Sequence, residues 1–382
     1  MTSIALPSPG GRLVEYHLNG PTQWAVDSRP AESREVFAAA HVVADPLADN
    51  APGAPAVLDW ESTLAFREHL TGHGLGIAEA MDTAQRGMGL TWDTAAELIR
   101  RSSAQTLAAG GRIACGVGTD SAGDPPVSLA DVVECYLQQL AVVEEAGAQA
   151  ILMASRDLAR IAGSADDYAG VYSALLQQVS QPAILHWLGP MFDPALTGYW
   201  GSDEVATATA SFLDLVRTHV DKVDGVKVSL LDADHEIALR AALPEGVRLY
   251  TGDDFNYPGL IESGSHALLG IFDPIAPAAS VAMRALDQGD AAGFHRALDD
   301  TVPLSRHLFG APTYYYKTGV VFLAWLNGHQ PGFRMVGGLE SARSITHLGE
   351  AFRLADQAGL LRDPDLAVER MAALLAVQGV GS

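Results

Sequence analysis

At 382 residues, 48% hydrophobic and with a mean hydropathy of +0.12, the chain can hold one large domain or two ordinary ones and can bury a large core. Lys and Arg total 24 against 46 acids, a formal net charge of -22. Nucleic acids and anionic membranes need clustered cations, so neither is expected as a partner. No apolar run approaches about 18 residues, and the N-terminus has no basic segment followed by an apolar one, so a cytoplasmic protein without a membrane span is expected. Cys115 and Cys135 lie in apolar segments without metal-like spacing and are expected to be reduced core thiols.

Residues 1–35 carry Pro and Gly punctuation around Arg12-Leu-Val-Glu-Tyr-His-Leu18, whose weak alternation predicts one strand of a small hairpin in an N-terminal extension. A regular rhythm begins at Val36. Strands are expected over 36–44, 74–78, 112–117, 150–153, 182–186, 223–231, 247–250 and 266–271, since short β-branched and aliphatic runs between turn residues suit a sheet covered on both faces. Between them, helices are expected over 58–70, 91–109, 128–146, 165–179, 202–220 and 234–242, with Ser128 and Ser202 as N-caps. Strand-helix units of this length across 36–290 predict an α/β fold of the (β/α)8 TIM-barrel type. A doubly wound open sheet is the alternative, disfavoured because no Gly-x-Gly-x-x-Gly turn follows the first strand. Residues 291–382 form a C-terminal helical appendage, with helical periodicity over 290–309, 315–328, 339–357 and 364–377.

Within this pattern Asp224-Gly-Val-Lys-Val-Ser-Leu-Leu231 stands out, because Lys227 interrupts a buried strand. Two readings are open. The ammonium reaches solvent from a strand end, or burial lowers its pKa and makes it a nucleophilic amine, as in Schiff-base lysines. In TIM barrels the active site lies at the C-terminal ends of the strands. The polar residues predicted there are Asp45, Glu79, Asp82, Thr119, Asp120, Ser155, His186, Lys227, Ser229, Asp253, Asp254 and Asp273. Asp45 and Asp273 precede prolines and also fit ordinary turns, while Asp82, Asp120 and Ser155 also fit caps. His186, on a buried strand before Trp187, is either a satisfied structural histidine or an acid-base group at the mouth.

Gly225-Val-Lys-Val-Ser229 resembles the Gly-Ile-Lys strand of the dihydrodipicolinate synthase and N-acetylneuraminate lyase family. Pro182-Ala-Ile-Leu-His-Trp-Leu-Gly-Pro190 is similar to that family's Ile-Leu-Tyr-Asn-x-Pro strand, and Leu249-Tyr-Thr-Gly-Asp-Asp254 to its Leu-Ser-Gly-Asp-Asp. The N-terminal insert and Val336-Gly-Gly-Leu-Glu-Ser341 resemble an uncharacterised branch labelled a domain of unknown function. The resemblance implies a class I aldolase barrel with the Schiff base on Lys227. Three departures bear on substrate. The family's proton-shuttling tyrosine falls on His186, its Gly-Thr-Thr-Gly-Glu cradle on Glu79-Ala-Met-Asp-Thr83, and its following arginine is missing from Leu188-Gly-Pro-Met-Phe-Asp193.

With acids in place of anion-binding hydroxyls and no cation, the site favours a neutral keto sugar or inosose over pyruvate. The function expected is thus a Schiff-base-forming lyase or aldolase acting on a small keto compound. Lys227 and His186 are the catalytic pair, and Glu79, Asp82, Thr83, Thr119, Asp120, Ser229, Asp253 and Asp254 bind substrate. No cofactor or metal is expected. One alternative is a metal-dependent sugar lyase or epimerase, with Glu79, Asp82, His186, Asp253 and Asp254 holding Mn²⁺ or Mg²⁺. Another is a non-catalytic small-molecule-binding protein. The partners expected are a small-molecule carbonyl substrate and, from the resemblance, further copies of the chain in a homo-oligomer, a dimer or tetramer.

Overall fold

The apolar runs become strands of four to seven residues in the computed structural model, which describes residues 2–8, 10–121 and 124–380. Near the N-terminus, β1 (Ser3–Pro7) and β2 (Leu13–His17) pair as an antiparallel hairpin, with Ala5 opposite Glu15. The next eight strands are β3 (Val36–Ala39), β4 (Gly76–Glu79), β5 (Ile113–Val117), β6 (Gln149–Leu152), β7 (Ala183–Leu188), β8 (Val223–Ser229), β9 (Arg248–Thr251) and β10 (His266–Leu269). They run parallel in sequence order, and β10 pairs back onto β3, so the sheet closes. This is a (β/α)8 TIM barrel followed by C-terminal helices. Side chains fill its interior, with Phe37, Ala78, Ala114, Ile151, Ile184, Tyr250 and Leu268 among a buried cluster.

Two compact units make up the chain. Residues 34–40 and 76–270 form one and contain the whole barrel sheet. Residues 1–33, 41–75 and 271–382 form the other, which holds the hairpin and the helices from Ala276–Asp287 onward. No helix among the described residues is long and apolar enough to cross a membrane.

Local chemistry sets the element ends. Ser128 caps the helix Leu129–Glu145 in a capping box: its hydroxyl accepts from the Asp131 N–H, and the Asp131 carboxylate accepts from the Ser128 N–H at 2.9 Å. Ser202 does not cap. The helix begins at Val205, after a 3₁₀ turn over Tyr199–Gly201, and the Ser202 hydroxyl accepts from the Glu204 N–H. The first barrel strand ends at Ala39, short of the expected 44. The helix expected over 290–309 is broken into Ala291–Leu298 and Val302–Leu308 by a 3₁₀ turn, with Pro303 at the start of the second piece. The one expected over 339–357 begins only at Ile345, because Gly337 and Gly338 hold left-handed backbone in the preceding 3₁₀ segment and Ser344 supplies the cap. Cys115 is buried, but Cys135 is only half-buried, so it is not a core thiol.

Candidate active site

Residues alternate along β8, so Gly225, Lys227 and Ser229 share one face. Lys227 pairs in register with His186 on β7 and with Tyr250 on β9. Gly225 makes room for the neighbouring Tyr250 ring, since a Cβ there would lie 2.6 Å from it. Only 7% of Lys227 is exposed, and its ammonium makes no hydrogen bond or ion pair among the described residues. It therefore does not reach out to solvent from the strand end. Burial lowers its pKa, while the carboxylates of Asp82 and Asp254 pull it back up.

His186 is likewise buried, and its Nε2 lies 3.3 Å from the Ser229 hydroxyl. Its Nδ1 has no hydrogen-bond partner among the described residues. Burial, and then the charge of Lys227, push its pKa well below the ordinary histidine value, so the ring is neutral at pH 7. A neutral imidazole beside a desolvated amine can accept protons and cannot act as a resting cation.

A cavity of about 110 Å³ opens beside this pair, at the C-terminal ends of β5, β6 and β7. Five of the polar residues expected at the mouth line it: Asp82, Thr119, Asp120, Ser155 and His186. Lys227 and Ser229 do not line it themselves. His186 joins the two places, lining the cavity while facing the Ser229 hydroxyl two residues beyond Lys227.

The remaining expected residues sort by their hydrogen bonds. Glu79 is fully buried and accepts from the N–H of Ala80, whose φ of 53° is left-handed backbone for a non-glycine residue just past a strand end. Thr83 is buried in the 3₁₀ turn that begins at Asp82. Asp253 holds its own loop: its carboxylate accepts from the N–H groups of Phe255 and Asn256 and from the Asn256 amide. Asp254 is buried and acts on Lys227 through its charge. Thr119 donates to Asp157 at 2.9 Å and lies 2.7 Å from the Ser155 hydroxyl. Ser155 caps the short helix Arg156–Ile161. Asp45 is an ordinary turn former, accepting from the Leu47 N–H, whereas Asp273 forms a fully buried pair with His41 at 2.8 Å.

The sequence reading missed two arginines of the cavity, Arg86 and Arg156. Arg86 spends every donor it has: Nε on Asp120 at 2.7 Å, Nη1 on the Ala80 and Gly116 carbonyls, and Nη2 on Gln139 and Asp120. Burial alone would raise the Asp120 pKa, but the Arg86 charge and these bonds hold it below the usual carboxylate value. Asp120 is therefore committed to Arg86. Segment 188–193 holds no cation, as read, yet Arg156 at the start of the helix after β6 donates through Nε to Asp193. Neither arginine sits at a family motif, and only the barrel's closure brings them to the cavity. Among the described residues no cluster of three or more His, Cys, Asp or Glu is arranged to hold a metal ion.

A family model described as "Protein of unknown function (DUF993)" matches residues 4–380. A search of curated proteins returned no match. Among solved structures, dihydrodipicolinate synthase from Aquifex aeolicus is 14% identical with a TM-score of 0.65, covering 86% of this chain and 99% of its own. A prophage protein of the dihydrodipicolinic acid synthase family from E. coli K12, solved in complex with pyruvate, is 13% identical with a TM-score of 0.67, covering 86% and 100%. A protein described as the first monomeric dihydrodipicolinate synthase variant is 16% identical with a TM-score of 0.63, covering 86% and 97%. At these identities the likeness is one of fold.

Proposed function

The chain belongs to the DUF993 family on a barrel of the dihydrodipicolinate synthase type, and we propose that it is a class I aldolase-like lyase whose Schiff-base residue is Lys227. One observation carries this: a lysine on the strand whose Gly225-Val-Lys227 resembles that family's Gly-Ile-Lys, 7% exposed, without a hydrogen bond among the described residues, and lowered in pKa by burial. The substrate proposed is a small hydroxylated ketone, a keto sugar or related polyol in preference to pyruvate.

In the proposed reaction the free amine of Lys227 adds to the ketone carbon, and the carbonyl oxygen leaves as water, giving a protonated imine. Neutral His186 takes the proton from the substrate hydroxyl β to the imine. The C–C bond then breaks, its electron pair flows into the imine to form an enamine, and an aldehyde departs. Protonation of the enamine carbon and attack by water release the second product and restore the amine. Run backwards, the same steps make the bond. Ser229, bonded to Nε2 of His186, holds the ring's orientation.

Borohydride reduction in the presence of a keto-sugar panel and, separately, pyruvate tests the reading. A mass adduct mapped to Lys227, absent from Lys227→Ala, is expected. No adduct with any ketone in folded protein would refute imine chemistry and leave the metal-dependent and the binding-only readings. A homo-oligomer, dimer or tetramer, is proposed on the family resemblance; a monomer by light scattering would refute it.

A further inference from the structure

The acids that line the cavity are nearly all neutralised. Asp120 is held by Arg86, Asp157 by Arg160 at 2.8 Å, and Asp193 by Arg156. Only Asp82 makes no side-chain hydrogen bond or ion pair among the described residues. The cavity thus lacks the surplus of negative charge that the sequence suggested.

The two guanidinium groups differ in what they have left. All five donors of Arg86 are spent on protein acceptors. Arg156 spends one, Nε on Asp193, and its Nη1 and Nη2 make no hydrogen bond among the described residues. Its side chain is about half exposed, so this edge is open. Asp193 is itself fixed, capping the 3₁₀ turn Pro194–Leu196 through the Ala195 N–H, and it holds the fork by the opposite side. The open edge passes over Gly87: a Cβ there would lie 3.2 Å from Nη1, and the glycine's φ of +69° disfavours any side chain. Gly87, Arg156 and Asp193 all line the cavity with His186.

We propose that Arg156 is a specificity residue that seats an oxyanion, a phosphate or carboxylate carried by the hydroxylated ketone, in the cavity that His186 lines. A planar fork with two adjacent free N–H donors matches two oxygens of either group, which a neutral sugar hydroxyl does not supply. The proposal rests on the ketone reading for the rest of the substrate, but the anion seat is separable from imine chemistry. The substrate class becomes a keto-sugar phosphate or keto-sugar acid, and Asp82 is left to bond its hydroxyls.

Calorimetric titration of the full chain with inorganic phosphate and, separately, acetate at low salt tests the seat without any turnover. Saturable binding of at least one anion is expected, with phosphate tighter for a sugar phosphate and acetate tighter for a sugar acid. Arg156→Met should weaken it by about tenfold or more, and Arg156→Lys by less, since a point charge replaces a fork. Lys227→Ala should bind the anion like wild type, so loss of the borohydride adduct and loss of the anion are independent results. Anion affinity unchanged in folded Arg156→Met, or no saturable binding of either anion to wild type, would overturn the proposal.

Discussion

Gly252→Ala is the sharpest test of how β8 and the loop after β9 hold Lys227. The Gly252 N–H donates to the Val228 carbonyl at 2.8 Å, which locks this backbone against the strand that carries the lysine. A Cβ on Gly252 would lie 2.1 Å from the Ser229 hydroxyl, 2.7 Å from the Val228 carbonyl oxygen and 3.0 Å from Cε of Lys227. Ser229 can rotate away, losing His186. The carbonyl cannot, so the loop must recede by roughly 0.6 Å to reach the about 3.3 Å of a close C···O contact. That movement carries Asp254, whose charge acts on Lys227, away with the loop, and the rotated Ser229 leaves His186 without its hydroxyl. Overpacking of this kind costs about 1–3 kcal/mol of stability, and a displacement approaching 1 Å at a reacting group costs about 10²-fold in rate. The assay is the rate of borohydride-trapped adduct on Lys227, read beside a urea midpoint that shows the variant folded. Trapping within about threefold of wild type would mean that the lysine's position does not depend on this contact, and the reasoning would fall.

Other consequences can be measured directly. Lys227→Ala and Lys227→Arg should both abolish turnover and adduct, because neither offers an amine that can lose its proton. With its pKa lowered by burial, the wild-type amine should react with a rate that rises with pH and levels off below 10.5; a limb still rising beyond that value would contradict the burial. His186→Asn should lower turnover by about 10²–10⁴-fold, and the wild-type rate should show no break near pH 6.5, since the folded ring is already neutral there. Glu236, buried and bonded by Thr251 and Ser265, is pushed up by burial to about 7 from 4.5. A raised acid favours the folded state while protonated, so its contribution is complete below pH 4.5 and is lost as pH rises through 7. The loss is about 3 kcal/mol at most. Denaturant midpoints of Glu236→Gln should therefore vary less between pH 5 and pH 8 than those of wild type, and parallel curves would refute this.

The barrel could be read because its strands and helices obey short-range rules: apolar runs of strand length, caps such as Ser128, and turn glycines. Where those rules failed, a local detail prevailed. Ser202 has a capping residue's chemistry, but the Tyr199–Gly201 turn sets the chain so that its hydroxyl meets Glu204 instead of opening the helix. Gly337 and Gly338 lie just before the periodic stretch, and their left-handed backbone in the 3₁₀ segment Val336–Ser341 delays the helix to Ile345. In the site, Lys227 and His186 were legible because burial of a titratable group on a strand is visible in one dimension. Their register opposite one another follows from parallel pairing of β7 and β8. Arg86 and Arg156 were not legible. Arg86 lies in the turn after β4 and Arg156 opens the short helix after β6, and each acquires its role from a partner far along the chain, Asp120 for one and Asp193 for the other.

The same distinction bears on charge. Counting acids along the sequence suggested a mouth hostile to anions, but a carboxylate in a bidentate pair contributes little field beyond its partner. Asp253 shows the parallel point for hydrogen bonding, because its acceptors are filled by its own loop and are closed to a substrate. What remains available is small: the amine of Lys227, the ring of His186, the Asp82 carboxylate and the open edge of Arg156. The amine and the ring constrain each other, since the charge of one lowers the pKa of the other and both charged states are penalised by burial. A proton delivered to His186 while an iminium stands on Lys227 would place two cations side by side in a dry pocket. On the proposed mechanism the ring passes that proton on quickly, to the departing product or to water, and a retained proton should appear as slow turnover when product leaves slowly. Solvent-isotope effects on steady-state turnover should thus exceed those on the first turnover; equal effects would mean that the proton does not wait on His186.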